Sequence, residues 1–174
     1  MNDRSVMMDL KLIEPFILSI QNVLMTMMQL PVSVGMPRLK NGFAAPRDVS
    51  GVIGMSGDVN GSVVLSFPID TAEAVVMLFC GERLERDEAE FADAIGELAN
   101  MVAGGAKANL GLRSVSIACP SVVVGPGHFI AQQKGMPCVV IPCMTDLGGF
   151  SIEIAIRLAS EVEEVQSSSA RARA

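Results

Sequence analysis

The sequence has no tryptophan and no tyrosine, and only 4% of its residues are aromatic. Surfaces that hold nucleic acid by stacking bases on aromatic rings are therefore not expected. The core must come from Val, Ile, Leu, Met and Ala within an apolar fraction of 50%. Positive charge is scarce as well. Lys and Arg number 13 against 19 Asp and Glu, and the net charge of −6 and pI near 4.8 exclude the dense basic face that displaces phosphate counterions. The only basic cluster is Arg171 and Arg173. Histidine occurs once, at His128, and the cysteines at Cys80, Cys119, Cys138 and Cys143 show no C-x-x-C spacing. No zinc set can be assembled from them, no metal is assigned to the chain, and reduced core thiols are the default expectation.

Charge is absent altogether from Pro15 to Pro37. Ser19, Gln21, Asn22, Thr26, Gln29 and Pro31 interrupt that stretch, which makes it a poor membrane span. Asp3, Asp9 and Glu14 occupy the place where a secretory signal carries its basic region. The expectation is a buried or interface helix, no membrane insertion and a cytoplasmic location.

What is present is a repeated order of elements. Helical periodicity runs from Asp9 to Gln29, and "PVSVGMPRL" follows as an extended segment. Two β-rich runs, "VSGVIGMSG" and "GSVVLSFP", flank a turn at Asp58-Val59-Asn60-Gly61 and predict a hairpin. Asp70 or Thr71 is the expected cap of a short helix through Phe79, and a long helix covers residues 90–112. The order then recurs: "SVSIACPSVVVG" extended, "MPCVVIPCM" extended, a turn at Asp146-Leu147-Gly148-Gly149, and "FSIEIAIRL" extended. Ser19-x-x-Asn22 aligns with Glu97-x-x-Asn100, and Asp58-x-x-Gly61 with Asp146-x-x-Gly149.

Each unit, about 9–67 and 87–158, has too few helices to cover a sheet alone. The expected architecture is therefore α+β: two pseudo-repeated helix plus three-strand units share one mainly antiparallel sheet with the helices packed on it. The domain spans residues 9–159. Residues 1–8 and 160–174 carry no core-forming pattern and are expected to be mobile ends.

In the long helix, Phe91, Ile95, Leu98, Val102 and Ala106 point one way, toward the core. Glu97 and Asn100 lie roughly 60° apart on the opposite side, with Asp93, Gly104 and Lys107 close by. E-x-x-N is also a common chance spacing, and a plain solvated face is the bland alternative. Three features favour a functional face. Asn is a poor helix former, and a glycine at an exposed helix position costs on the order of 1 kcal/mol against Ala. Gly96, Ala99 and Ala103, being small, are expected to leave Glu97 and Asn100 projecting, a shape suited to a partner's cleft.

The single "ELANMVAGGAK" helix, the aligned but Glu-less Ser19-x-x-Asn22 and the duplicated strands resemble the CheC/CheX/FliY chemotaxis phosphatases, over roughly residues 9–158. In that family the CheC type carries E-x-x-N in both repeats and the CheX type in the second alone, so the chain resembles the CheX type. The resemblance implies dephosphorylation of a phosphorylated CheY-like response regulator by a homodimer. Asn100 would orient the attacking water and Glu97 would pair with a lysine of the regulator. Asp93, Gly96, Gly104 and Lys107 would form the docking surface. No cofactor is expected on this chain, and Mg²⁺ is expected on the regulator. Such chemistry suits an amide, because phosphoryl transfer through a loose transition state needs an oriented water more than a base. The alternative is a non-catalytic adaptor of the flagellar-switch kind, which would bind the regulator without hydrolysis.

The remaining candidates read as structural. Ser19, Asn22 and Thr26 form a polar stripe assigned to structure or an interface. Ser56, in "IGMSGD", lacks nucleophile-elbow spacing and a His partner, and reads as strand and turn. His128 follows Gly125-Pro126-Gly127 and reads as a loop residue rather than a ligand. Met25, Met27 and Met28 are expected in the core or a subunit interface, and that Met-rich, uncharged helix is a second ground for expecting a homodimer.

Overall fold

The computed structural model describes residues 10–40, 47–131 and 135–160. The expected mobile ends, 1–8 and 160–174, lie outside the described residues, apart from Ser160. Apolar residues at helical spacing, among them Leu12, Phe16, Ile20, Val23 and Leu24, build α1 (Leu10–Met28). Next come β1 (Ser33–Val34), β2 (Arg38–Leu39), β3 (Arg47–Gly57), β4 (Val59–Phe67), α2 (Ile69–Cys80) and α3 (Ala89–Asn109). The chain continues through β5 (Val115–Ile117), β6 (Ser121–His128), β7 (Val139–Thr145) and β8 (Gly148–Leu158).

All eight strands join one sheet in the order β1-β7-β8-β4-β3-β5, with β2 also on β7 and β6 also on β3, and every pairing is antiparallel. Period-two alternation divides the sheet into two faces. Val49, Ile53, Val63, Leu65, Phe67, Ile141, Phe150, Ile152 and Ile154 share one core with the helices. Ser50, Ser66, Ser151 and Glu153 alternate with them and face the other way.

The pairings also join the repeats. The hairpins β3–β4 and β7–β8 meet along β4 and β8, from Val59↔Leu158 to Ser66↔Ser151. Strands β1 and β2 of the first unit pair with β7 of the second, while β5 and β6 of the second pair with β3 of the first. Each unit lends the other its edge, so neither has a complete sheet of its own. The α+β architecture expected from the repeat is the one observed.

Several local expectations are corrected by register. Val59 and Gly61 already pair with Leu158 and Ile156, so the reversal falls at Gly57-Asp58 rather than across Asp58–Gly61. Asp58 is held there because its Oδ2 accepts from the backbone N–H of Arg113 and Ser114, at 3.0 and 2.8 Å. The second turn likewise narrows to Asp146-Leu147, with Gly148 and Gly149 inside β8. Neither Asp70 nor Thr71 caps α2. The cap position is Pro68, and Asp48 of β3 accepts from Ile69 N–H at 3.0 Å, a partner distant in sequence. The segment expected to be one extended run splits into β5 and β6, both on β3. Only Cys138 and Cys143 are core thiols, since Cys80 and Cys119 are exposed.

Candidate functional site

Helix α3 lies on the sheet through Phe91, Ile95, Leu98, Val102 and Ala106, all buried. Its other side presents exposed Asp93, Glu97 and Lys107 and half-buried Asn100 and Gly104. The Asp93, Glu97, Asn100 and Lys107 side chains make no hydrogen bond or ion pair among the described residues. A carboxylate and an amide one turn apart are therefore unengaged on a rigid element. At Gly104 an added Cβ would meet nothing within 4 Å, so packing does not require glycine there.

Gly96 does not reach this face. It is buried, and a Cβ there would stand 3.2 Å from Pro120 Cγ and 3.4 Å from Val122 Cγ2. Its smallness lets α3 approach the β5–β6 connection. Ala99 and Ala103 are buried too, and an added Cβ on Gly51 of β3 would come within 3.0 Å of Ala99 Cβ. These small residues set the helix–sheet distance rather than clear space around Glu97. Gly105 serves a third contact: its added Cβ would clash with Ser19 Oγ, and Ser19 Oγ donates to Val102 O at 2.7 Å.

Ser19 is thus a buried helix–helix contact, 3% exposed, and not part of an open polar stripe. Its burial matches Leu98 and not Glu97, as Phe16 matches Ile95, Ile20 matches Ala99 and Val23 matches Val102. Over residues 16–23 the burial of the first helix thus runs one residue out of step with the sequence alignment. Leu18 is 52% exposed, and half-buried Gln21 directs its Nε2 to Val32 O at 3.3 Å. Asn22 is exposed and is bonded to by Thr26 Oγ1 at 3.4 Å. The outer side of α1 carries Leu18 and Met25 and has no carboxylate–amide pair, whereas Met28 is buried in the core.

Chemically, an amide can both donate to and accept from one water, and a free carboxylate can engage a cation on a partner. Among the described residues no group of three or more His, Cys, Asp or Glu could hold a metal. No helix among them is long and apolar enough to cross a membrane.

A second polar cluster escaped the sequence reading. On the helix-free face, part-buried Lys40 pairs through Nζ with the buried Glu153 Oε2 at 2.7 Å and also donates to Ile130 O at 3.3 Å. His128 closes β6 and is not a loop residue: its Nε2 lies 2.8 Å from Ser50 Oγ, and its Nδ1 2.8 Å from Gly125 O. Ser50 Oγ is in turn 2.9 Å from Ser66 Oγ. No sequence signal showed that residues 125–131 would cover these strand positions. Burial first, and then the Glu153 carboxylate, pushes the nearby Cys138 thiol up to about 11, although Lys40 acts the other way. Burial alone pushes Cys143 up to about 12.

The family described as chemotaxis phosphatase CheX matches residues 49–144, which include the whole of α3. A CheY-P phosphatase CheX from Thermotoga maritima is 32% identical over 122 residues, covering 68% of this chain and 78% of its own. The crystal structure of a chemotaxis protein CheX from Desulfovibrio desulfuricans is similar at a TM-score of 0.77 and 35% identity, over 85% of this chain and 99% of that one. The CheX chain in a CheX–CheY–BeF₃–Mg²⁺ complex from Borrelia burgdorferi is similar at a TM-score of 0.70 and 27% identity, over 83% and 97%.

Proposed function

The chain belongs to the chemotaxis phosphatase CheX family, and from that premise we propose that it hydrolyses the aspartyl-phosphate of a CheY-like response regulator, using Asn100 and Glu97. The observation that carries the proposal is the unengaged Glu97/Asn100 pair on the outer side of α3, beside open space at Gly104. Asn100 orients a water in line with the phosphoryl group by accepting from it and donating to it. Glu97 docks against a lysine of the regulator. Because the transition state is loose, positioning supplies the acceleration and no strong base is required.

Asp93, Gly104 and Lys107 border the pair and form the docking rim. Mg²⁺ belongs to the regulator in this proposal. Support for the partner comes from the relatives, one named a CheY-P phosphatase and another solved with CheY. We also propose a homodimer in the cytoplasm, because Leu18, Met25 and Met27 leave apolar surface open on a single chain. The test is phosphate release from candidate phosphorylated regulators of the same cell. Acceleration of release for at least one supports a phosphatase, while binding without acceleration assigns the chain to the adaptor class.

A further inference from the structure

Charge along the outer side of α3 runs in an order that the roles of Glu97 and Asn100 do not require. Glu90, Asp93, Glu97, Asn100, Gly104 and Lys107 follow one another at alternating steps of three and four residues, and so form one stripe down the helix. Exposed Glu90, Asp93 and Glu97 hold one end and exposed Lys107 the other. Asn100 stands midway, about 10 Å along the axis from Asp93 and about 10 Å from Lys107 at a rise of about 1.5 Å per residue.

The acids on this stripe are not matched within the chain. Among the described residues Glu90, Asp93 and Glu97 meet no cation, and like charges three or four residues apart on a helix repel. The helix dipole favours an acid in the first turn, which Glu90 supplies, but Asp93 and Glu97 lie beyond it. Acids in the segment before α3 are engaged instead: Arg83 pairs with Glu85, Arg86 pairs with Glu73, and Glu88 accepts from the Glu85 N–H. Lys107 suits the last turn, yet neither Ala103 nor Gly104, one turn before it, offers a carboxylate. Unmatched charges of opposite sign therefore flank the amide, complementary to a partner whose charge runs the other way.

We infer that this order fixes the direction in which the regulator lies along α3. The regulator surface that fits carries a basic side chain opposite Asp93, besides the lysine paired with Glu97, and an acidic side chain opposite Lys107 on the other flank of its phosphorylation site. A regulator turned end for end meets like charge at both positions. Asp93 and Lys107 are positioning residues, and neither touches the phosphoryl group. This inference rests on the phosphatase reading proposed above.

The test is single-turnover phosphate release, with the full chain in excess over each CheY-like regulator of the same cell, phosphorylated with acetyl phosphate. Asp93→Lys ends two like-charge contacts within α3, so it should keep or raise Tm. It should nonetheless raise the half-saturating concentration about fivefold or more, with the maximal rate within about twofold of the parent. Lys107→Glu should raise the half-saturating concentration similarly, and should that variant fail to fold, Lys107→Gln should give a smaller rise in the same direction. Added salt should weaken the parent more steeply than the double variant Asp93→Lys/Lys107→Glu. An active parent whose half-saturating concentration and salt dependence survive both substitutions would overturn the inference and leave the phosphatase reading standing. A half-saturating concentration that rises only where Tm falls marks structural damage and would overturn it too. A parent that accelerates release from no regulator overturns both.

Discussion

Two adjacent glycines in α3 should respond oppositely to substitution, and the difference follows from what each would meet. At Gly104 a new Cβ finds nothing within 4 Å, so Gly104→Leu adds helix propensity without strain. The gain is about 0.8 kcal/mol, or about 2–3 °C in Tm for a chain of this size. At Gly105 the added Cβ clashes with Ser19 Oγ and lies 3.3 Å from Ser19 Cβ. Ser19 cannot turn away freely, because its hydroxyl is bonded to Val102 O. Overpacking of about 1–3 kcal/mol plus a weakened hydrogen bond of about 1 kcal/mol outweighs the propensity gain of about 1 kcal/mol, so Gly105→Ala should lose about 1–3 kcal/mol. Activity separates them the other way. Gly104→Leu places a side chain beside Asn100 where the regulator is proposed to dock, and should cut accelerated phosphate release by roughly tenfold or more, the equivalent of about 1.4 kcal/mol of lost transition-state stabilisation. Calorimetric melting and phosphate release on the same samples provide the test. A Gly104→Leu protein with raised Tm and full activity would refute the docking argument, and a stabilised Gly105→Ala would refute the packing argument.

The register of α1 predicts that Ser19→Glu loses at least about 3 kcal/mol in urea unfolding, because an unpaired carboxylate would be buried against Val102 and Gly105. Leu18→Glu, one residue away but exposed, should stay within about 0.5 kcal/mol of the parent; equal effects would contradict the burial-based alignment. The thiols should divide by environment, with Cys80 and Cys119 alkylated at pH 8 and Cys138 and Cys143 protected until unfolding, as read by mass spectrometry. Both buried thiols have folded-state values raised above the ordinary 9.0, to about 11 and about 12. Folded protein thus holds protons that unfolded chain releases. Their contribution to stability is intact below about pH 9 and is lost as pH rises through about 11 for Cys138 and about 12 for Cys143, measurable as a falling urea midpoint. Light scattering should give twice the 18.4 kDa chain mass, and a monomer at micromolar concentration would remove the dimer proposal.

Much of this was legible because it depends on local periodicity. The α3 core face and its outward Glu97, Asn100 and Gly104 follow from the helical repeat alone, and the two hairpins follow from alternation beside turn residues. Positions governed by tertiary approach were not legible. Gly96, Ala99 and Ala103 look like cleared space in sequence, yet they are small because Pro120, Val122 and Gly51 come close. Ser19 looked equivalent to Glu97 because polar residues were matched to polar residues, whereas burial matches it to Leu98. Asp48 capping α2 is a contact between residues 21 apart, which no local rule anticipates. The covered serine row needed knowledge of what lies above the sheet.

The most direct test of the central claim is single-turnover phosphate release from the phosphorylated regulator with Asn100→Ala, alongside regulator binding to the same variant. The account predicts that the acceleration falls by about a hundredfold or more while binding persists, because the amide orients water and Glu97 still docks. Hydrolysis at the parent rate by Asn100→Ala would contradict it.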